Sequence, residues 1–239
     1  MGTRALTHPS LTSARSRSAL WNMILSPEFE GMSVHNVIDF GIVTEQLNNF
    51  EFLRAGQLDE AVLITGRPGV GKTTVFLQVV ESLRASGVGF AGFVSREVRV
   101  EGDRIGFEIM DLASGRKGWL AHVNQPVGPR VGKYRVNLSD LIEIGVGSIQ
   151  RSLQQRSVEV VAVDEIGPME LTCPEFARVI KDVTNAGKTL LATVHYRERD
   201  QILAMFDLKQ TTKLFEVTLE NRQKIDHEIV EAVIAARKS

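Results

Sequence analysis

Eight residues constrain this chain more than any others: Gly66-Arg67-Pro68-Gly69-Val70-Gly71-Lys72-Thr73. They spell G-x-x-x-x-G-K-[ST] in full, a pattern that works only as the joint between a strand and a helix. The flanks supply both. Val62-Leu63-Ile64 reads as a buried strand, and Phe76, Val79, Val80 and Leu83 fall on one helical face. Gly66, Gly69 and Gly71 let the backbone curl until successive N–H groups point inward, a nest for anionic oxygens above the positive end of the helix dipole. Pro68 stiffens the loop at a position that need not donate. Lys72 then offers a mobile positive charge to the β and γ phosphates of a nucleotide, and Thr73 a hydroxyl ligand for Mg2+. A glycine-rich turn ending by chance in Lys-Thr is the plain alternative, and the flanking strand and helix speak against it.

From Ala61 onward the pattern is α/β. The helix after the loop is expected to stop at Gly87. Val94, Val98 and Val100 alternate with polar residues, as do Ile105, Phe107 and Ile109 beyond Glu101-Gly102-Asp103, so an antiparallel hairpin follows. Lys117–Val123 and Val131–Val136 are candidate further strands. Ile142, Val146, Ile149 and Leu153 return to helical spacing, with Gly145 and Gly147 inside the run. Val158–Val163 has the short apolar run of a strand buried on both faces. Thr172-Cys173-Pro174-Glu175 has capping-box spacing ahead of a helix. Thr189–Val194 and Lys213–Thr218 read as strands, and Ile225, Ile229, Val233 and Ala236 line one face of a final helix. Residues 1–60 show no such order. Residues 1–17 read as disordered and 18–60 as short helices at most, so the domain is expected to span 61–239.

The apolar strand before Asp164-Glu165-Ile166-Gly167 sets the second half of a site. Acidic groups at the carboxyl ends of buried parallel strands are where ligands gather in open α/β sheets. Asp164 fits the Walker-B carboxylate that holds Mg2+, and Glu165 a general base for the attacking water. Alone, the pair would merely mark a polar strand end; the phosphate loop in the same chain gives it a partner. D-x-x-G also occurs in GTPase switches, but no guanine-reading N-K-x-D is present. His195, after Leu190–Val194, could sense the γ-phosphate or simply close a strand in a hydrogen bond. His8, His35, His122 and His227 lack metal-ligand spacing. Trp119 could stack on a base, although packing is the simpler role. Arg96, Arg104 and Arg130 are candidate arginine fingers, although a solvated surface residue is the simpler reading of each. Arg197-Glu198-Arg199-Asp200 reads as a charged helix start or a loop.

Bulk properties narrow the partners. A net charge of −1 argues against a dedicated nucleic-acid binder. The one cysteine, Cys173, can form no internal disulfide or Cys-based metal site and favours a reducing compartment such as the cytoplasm. No apolar run approaches the ~20 residues of a membrane span. Residues 1–27 carry Arg4, Arg15 and Arg17 and no acid, compatible with an organellar transit segment or with a tail of no structure.

With these residues in view, the chain resembles the nucleoside-triphosphatase family first described in thermophiles, whose human member is called cancer-related NTPase. The resemblance runs over about residues 61–238 and rests on five blocks in order: ITGRPGVGKTT, then GFVSREV with DRIGFEIMDLASG, then RVGKYRVN, VDEIGPMEL and VTLENR. It implies a P-loop, RecA-like fold, a mostly parallel sheet flanked by helices with an antiparallel insertion after the first helix. It implies slow Mg2+-dependent hydrolysis of several nucleoside triphosphates to diphosphate and phosphate. The nucleotide-contacting residues would be Gly66, Arg67, Pro68, Gly69, Val70, Gly71, Lys72, Thr73, Thr74, Asp164, Glu165, Ile166 and Gly167. Arg130 and the pair Asn221-Arg222 would join them, the pair near base or ribose. Many members have lysine where this chain has Pro168, and residues 1–60 look like an addition. Two rivals stay open: a nucleotide or nucleoside kinase, though no arginine-rich lid is evident, and a nucleotide-dependent RNA-binding or assembly protein.

Overall fold

The computed structural model describes residues 61–206, 208 and 212–237. The expectations for residues 1–60, including the domain boundary, the transit segment, His8 and His35, lie outside the described residues. The described strands are β1 (Ala61–Thr65), β2 (Phe90–Val100), β3 (Asp103–Asp111), β4 (Lys117–His122), β5 (Arg130–Val131), β6 (Tyr134–Val136), β7 (Val160–Ile166), β8 (Thr189–Val194) and β9 (Thr212–Glu216). They form one nine-stranded sheet in the order β5-β6-β4-β3-β2-β7-β8-β1-β9. The helices are α1 (Lys72–Ala85), α3 (Pro174–Asn185), α4 (Arg199–Met205) and α5 (Ile225–Arg237), with a composite helix α2 between β6 and β7.

The expected α/β architecture is present, and the antiparallel strands after the first helix continue the same sheet. β2 pairs in parallel with β7 through Phe90–Val94 and then runs on as the first arm of the hairpin with β3. One half of the sheet (β2-β7-β8-β1-β9) is therefore parallel and the other half antiparallel.

Strand alternation splits the core into two layers. Val62, Ile64, Val160 and Ala162 face α1 and α5, where they meet Phe76, Val79, Leu83, Ile229 and Val233. Leu63, Val161, Val163 and Ala192 face α2 and α3, meeting Leu141, Ile149, Phe176 and Ile180. Strands covered on both faces carry apolar residues on both, which is why β1 opens Ala-Val-Leu-Ile without alternation.

Four local expectations are corrected. β7 starts two residues later than expected and continues through Asp164-Glu165 to Ile166, because Ile166 still fits the core. Val131–Val136 is not one strand but two, β5 and β6, which pair with each other around Gly132-Lys133. α2 is not a uniform helix: α-helical Leu138–Asp140 leads into a π-helical stretch, Leu141–Val146, and then Gly147–Gln154. The two glycines that weakened the helical pattern lie in and just after that wide stretch. The capping box does not form. Cys173 is the N-cap of α3, Pro174 takes the first turn, and the Thr172 hydroxyl donates backward to Met169 O at 2.7 Å.

Candidate active site

The parallel strands β1, β7 and β8 end at one edge of the sheet, and the candidate site is built on that edge. β1 leads into Gly66, which is pinned to the turn after β9: Val217 N–H donates to Thr65 O at 2.8 Å. A Cβ on Gly66 would lie 2.6 Å from Val217 O, and φ is +151° there, so only glycine fits. Gly71, at φ +108°, is the N-cap of α1. Lys72 is the first helical residue. Its ammonium donates to Gly66 O at 3.3 Å, arching back over the loop where phosphates would sit, and lies 3.6 Å from Glu165 Oε2.

Thr73 and Asp164 meet from opposite sides of β8. The Thr73 hydroxyl donates to Asp164 Oδ2 at 2.8 Å. A residue without any motif holds the other oxygen: the Thr193 hydroxyl of β8 donates to Asp164 Oδ1 at 2.5 Å. Thr193 and Asp164 are both fully buried. Burial pushes the Asp164 carboxyl up to about 6, even though both hydroxyls and the Lys72 charge pull it down. Glu165 is raised for the same first reason, and Lys72 opposes the shift. The Asp164–Glu165 peptide is cis.

The other expected residues divide. Arg222 reaches the loop, with Nη1 3.4 Å from Val70 O. Asn221 turns its amide into its own loop, accepting from Thr218 N–H at 2.8 Å and donating to Glu216 O at 2.9 Å. Ile166 and Gly167 are buried behind the acid pair, and Pro168 brings no charge. Arg67, Pro68, Gly69 and Thr74 are exposed along the loop and the start of α1.

Arg130 is not brought to the loop. It lies on β5, the far edge strand, and six strands stand between β5 and β1. Arg104 is held by Glu97 and the Tyr134 hydroxyl. Arg96 shares a groove of about 480 Å³ with Thr74 and Gln78 beside α1. Trp119 packs edge-on against His122 at 4.6 Å, on β4 and remote from β1. His195 follows β8. Its backbone N–H donates to Ile166 O at 3.1 Å, its Nδ1 is buried without a partner, and burial together with Lys72 and Arg197 lowers its pKa. Glu198 and Arg199 form the expected charged start of α4.

Oxygen donors alone, a hydroxyl and a carboxylate 2.8 Å apart beside a phosphate loop, suit a hard cation such as Mg2+. Among the described residues no cluster of three or more His, Cys, Asp or Glu side chains could hold a metal. Mg2+ needs none, since it keeps several waters and takes phosphate oxygens.

A family model described as NTPase matches residues 61–230. The nucleoside-triphosphatase THEP1 of Thermofilum pendens is 42% identical over 176 residues, covering 72% of this chain and 93% of that protein. The chain belongs to the THEP1 nucleoside-triphosphatase family. THEP1 of Methanothermobacter thermautotrophicus is 38% identical over 170 residues, covering 71% and 94%. Two solved structures agree. The crystal structure of THEP1 from Aquifex aeolicus has a TM-score of 0.61 at 29% identity, covering 72% of this chain and 98% of that one. The solution structure of a human cancer-related nucleoside triphosphatase has a TM-score of 0.63 at 32% identity, covering 73% and 97%. The NTPase family match begins at residue 61, where the first described strand also begins. Among the described residues no helix is long and apolar enough to cross a membrane.

Proposed function

We propose that this THEP1-family enzyme hydrolyses nucleoside 5'-triphosphates, ATP and GTP among them, to the diphosphate and inorganic phosphate with Mg2+ bound. One observation carries the reading: Lys72, Thr73, Asp164 and Glu165, from two segments some ninety residues apart in sequence, converge on one edge of the sheet.

The backbone N–H groups of Gly69–Thr73 cradle the β and γ phosphates at the start of α1. Bound Mg2+ would be held by Thr73 and, through water, by Asp164, and would supply neutralising charge to the phosphate oxygens. Thr193 keeps Asp164 in place for that role. Lys72 shifts from Glu165 toward the γ-phosphate, where it offsets the charge building on the β–γ bridge. Glu165, freed of its ion pair, orients a water in line with that bridge and takes its proton. The water oxygen bonds to phosphorus, the bridge P–O bond breaks, and the electron pair leaves on the diphosphate. Contacts in the loop are to phosphate, so several bases are accepted. A reducing, cytoplasm-like compartment fits the lone buried thiol of Cys173.

The test is Glu165→Gln. It should bind ATP normally and turn over at least ~100-fold more slowly, the lower edge of general-base contributions. Near-normal turnover removes Glu165 from the mechanism. Phosphate assayed across ATP, GTP, CTP and UTP, with and without Mg2+, should appear free and only with the metal. Phosphate appearing only on an added acceptor would mark a kinase instead.

A further inference from the structure

β8 brings two polar side chains to the edge where the site lies. Thr193 is bound to Asp164. His195 follows just past the end of β8 at Val194. The ladder runs on through it, since the His195 N–H donates to Ile166 O at 3.1 Å. His195 therefore keeps the alternation of the strand and falls on the face of Leu191 and Thr193, the face that packs against α1. On the other side, the register that pairs Ile64 with Thr193 sets the end of β8 beside Thr65 and Gly66, where the phosphate loop begins.

The ring is not what closes the strand, because the backbone N–H does that. Nδ1 is buried without a partner, while the residue as a whole is only half-buried. The edge of the ring that meets solvent is thus the one that carries Nε2. A neutral imidazole has one donor and one acceptor nitrogen, and an imidazolium has two donors. A hydrogen on Nδ1 would be a buried donor with no acceptor, which folded proteins avoid and which costs most when the group is charged. The hydrogen-bond pattern therefore assigns a neutral ring with its hydrogen on Nε2. The surroundings agree: burial lowers the pKa of the ring, Glu198 acts against it, and the positive charges of Lys72 and Arg197 lower it again. The Lys72 ammonium is a near neighbour of this ring as it is of Glu165.

We propose that His195 is a further catalytic residue, which donates an Nε2 hydrogen bond to an oxygen of the γ-phosphate and so lets the site tell a nucleoside triphosphate from a diphosphate. This rests on the reading of the strand edge as a nucleotide-phosphate site, and it names the group that senses the terminal phosphate. A diphosphate ends one phosphate short of the ring and leaves Nε2 to water. Hydrolysis therefore removes the acceptor, and the product is held less tightly than the substrate. A neutral donor does this without setting a second positive charge beside Lys72.

The test uses the full chain with Mg2+. It reads equilibrium binding of ADP and of the non-hydrolysed triphosphate analogue adenylyl imidodiphosphate, and phosphate release from ATP. Variants are His195→Gln, whose amide nitrogen reaches the Nε2 position, His195→Asn, whose amide stops at the Nδ1 position, and His195→Leu, which has no donor. The Asn and Leu variants should bind the analogue ~10-fold more weakly than wild type, the scale of one hydrogen bond to a charged group. Their ADP affinity should stay within ~2-fold, and Gln should recover most of the analogue binding. Equal losses for analogue and ADP would mark a structural role and overturn the proposal. So would unchanged analogue affinity in Asn and Leu, or a Gln variant as weak as Asn. Should Leu fail to fold, the comparison of Gln with Asn still decides. The hydrolase reading fails separately, if wild type releases no phosphate from ATP; the analogue and ADP affinities then still judge His195.

Discussion

Thr193→Val tests whether the Asp164 carboxylate is held in place from behind. Valine copies the shape of threonine, so the core around β8 keeps its volume, and the loss is one hydroxyl. That hydroxyl donates at 2.5 Å to a carboxylate that is 1% exposed and has one other side-chain donor, Thr73. A buried hydrogen bond to an ionised group contributes about 1.5–3 kcal/mol, and one between neutral groups about 0.5–1.5 kcal/mol. The cost should therefore depend on pH. Asp164 in the folded apoprotein titrates at about 6, against about 3.9 in an unfolded chain. The folded state holds the proton more tightly, so this group's contribution to stability falls as pH rises from about 4 to 6 and is flat above. Removing Thr193 raises the folded value further and extends the fall to higher pH. In urea unfolding without Mg2+, the variant should be about 2 kcal/mol less stable than wild type at pH 8 and within about 1 kcal/mol at pH 5. Turnover should also need more Mg2+. Equal stability at both pH values, with an unchanged Mg2+ requirement, would refute the idea that Thr193 anchors Asp164.

Three further outcomes follow from the same structure. Gly92→Ala would place a Cβ 1.9 Å from Ala162 O at φ +134°, which forces β2 away from β7; a loss of about 3 kcal/mol or more, or roughly 6–12 °C in Tm, is expected by thermal unfolding, and a Tm within about 2 °C would contradict that close approach. Asn221→Ala frees Thr218 N–H and Glu216 O beside the phosphate loop, so KM should rise a few-fold equally for ATP, GTP and CTP, whereas a base-dependent change would mean direct base contact. Glu170 has its folded value raised to about 8, so its contribution to stability is lost between about pH 4.3 and 8. Glu170→Gln should match wild type in chemical denaturation at pH 4.5 and exceed it by on the order of a few kcal/mol at pH 9; parallel curves would show that Glu170 is not buried as an acid.

What could be read from the chain was whatever depends on near neighbours. The phosphate loop, the helix behind it, the β2–β3 hairpin and the apolar runs of β1 and β7 follow from turn chemistry and from periods of 3.6 and 2, which repeat within a dozen residues. Asp164-Glu165 stood out because an apolar run ended there, although β7 carries the pair inside the strand. Spacing along the chain is silent about which distant groups meet. Thr73 finds Asp164 across 91 positions, and Thr193 reaches it across 29 because β8 lies between β1 and β7. Strand order alone carries Arg130 to the far edge, although its sequence block looked like part of the site. Glu170 gave no signal beyond being one more glutamate; its burial beside Glu165 comes from how the turn after β7 folds back. Local patterns choose strands, helices and the loop, since those depend on backbone geometry. The partners of a buried charge depend on strand order and crossovers, and folding sets these by packing the whole core at once.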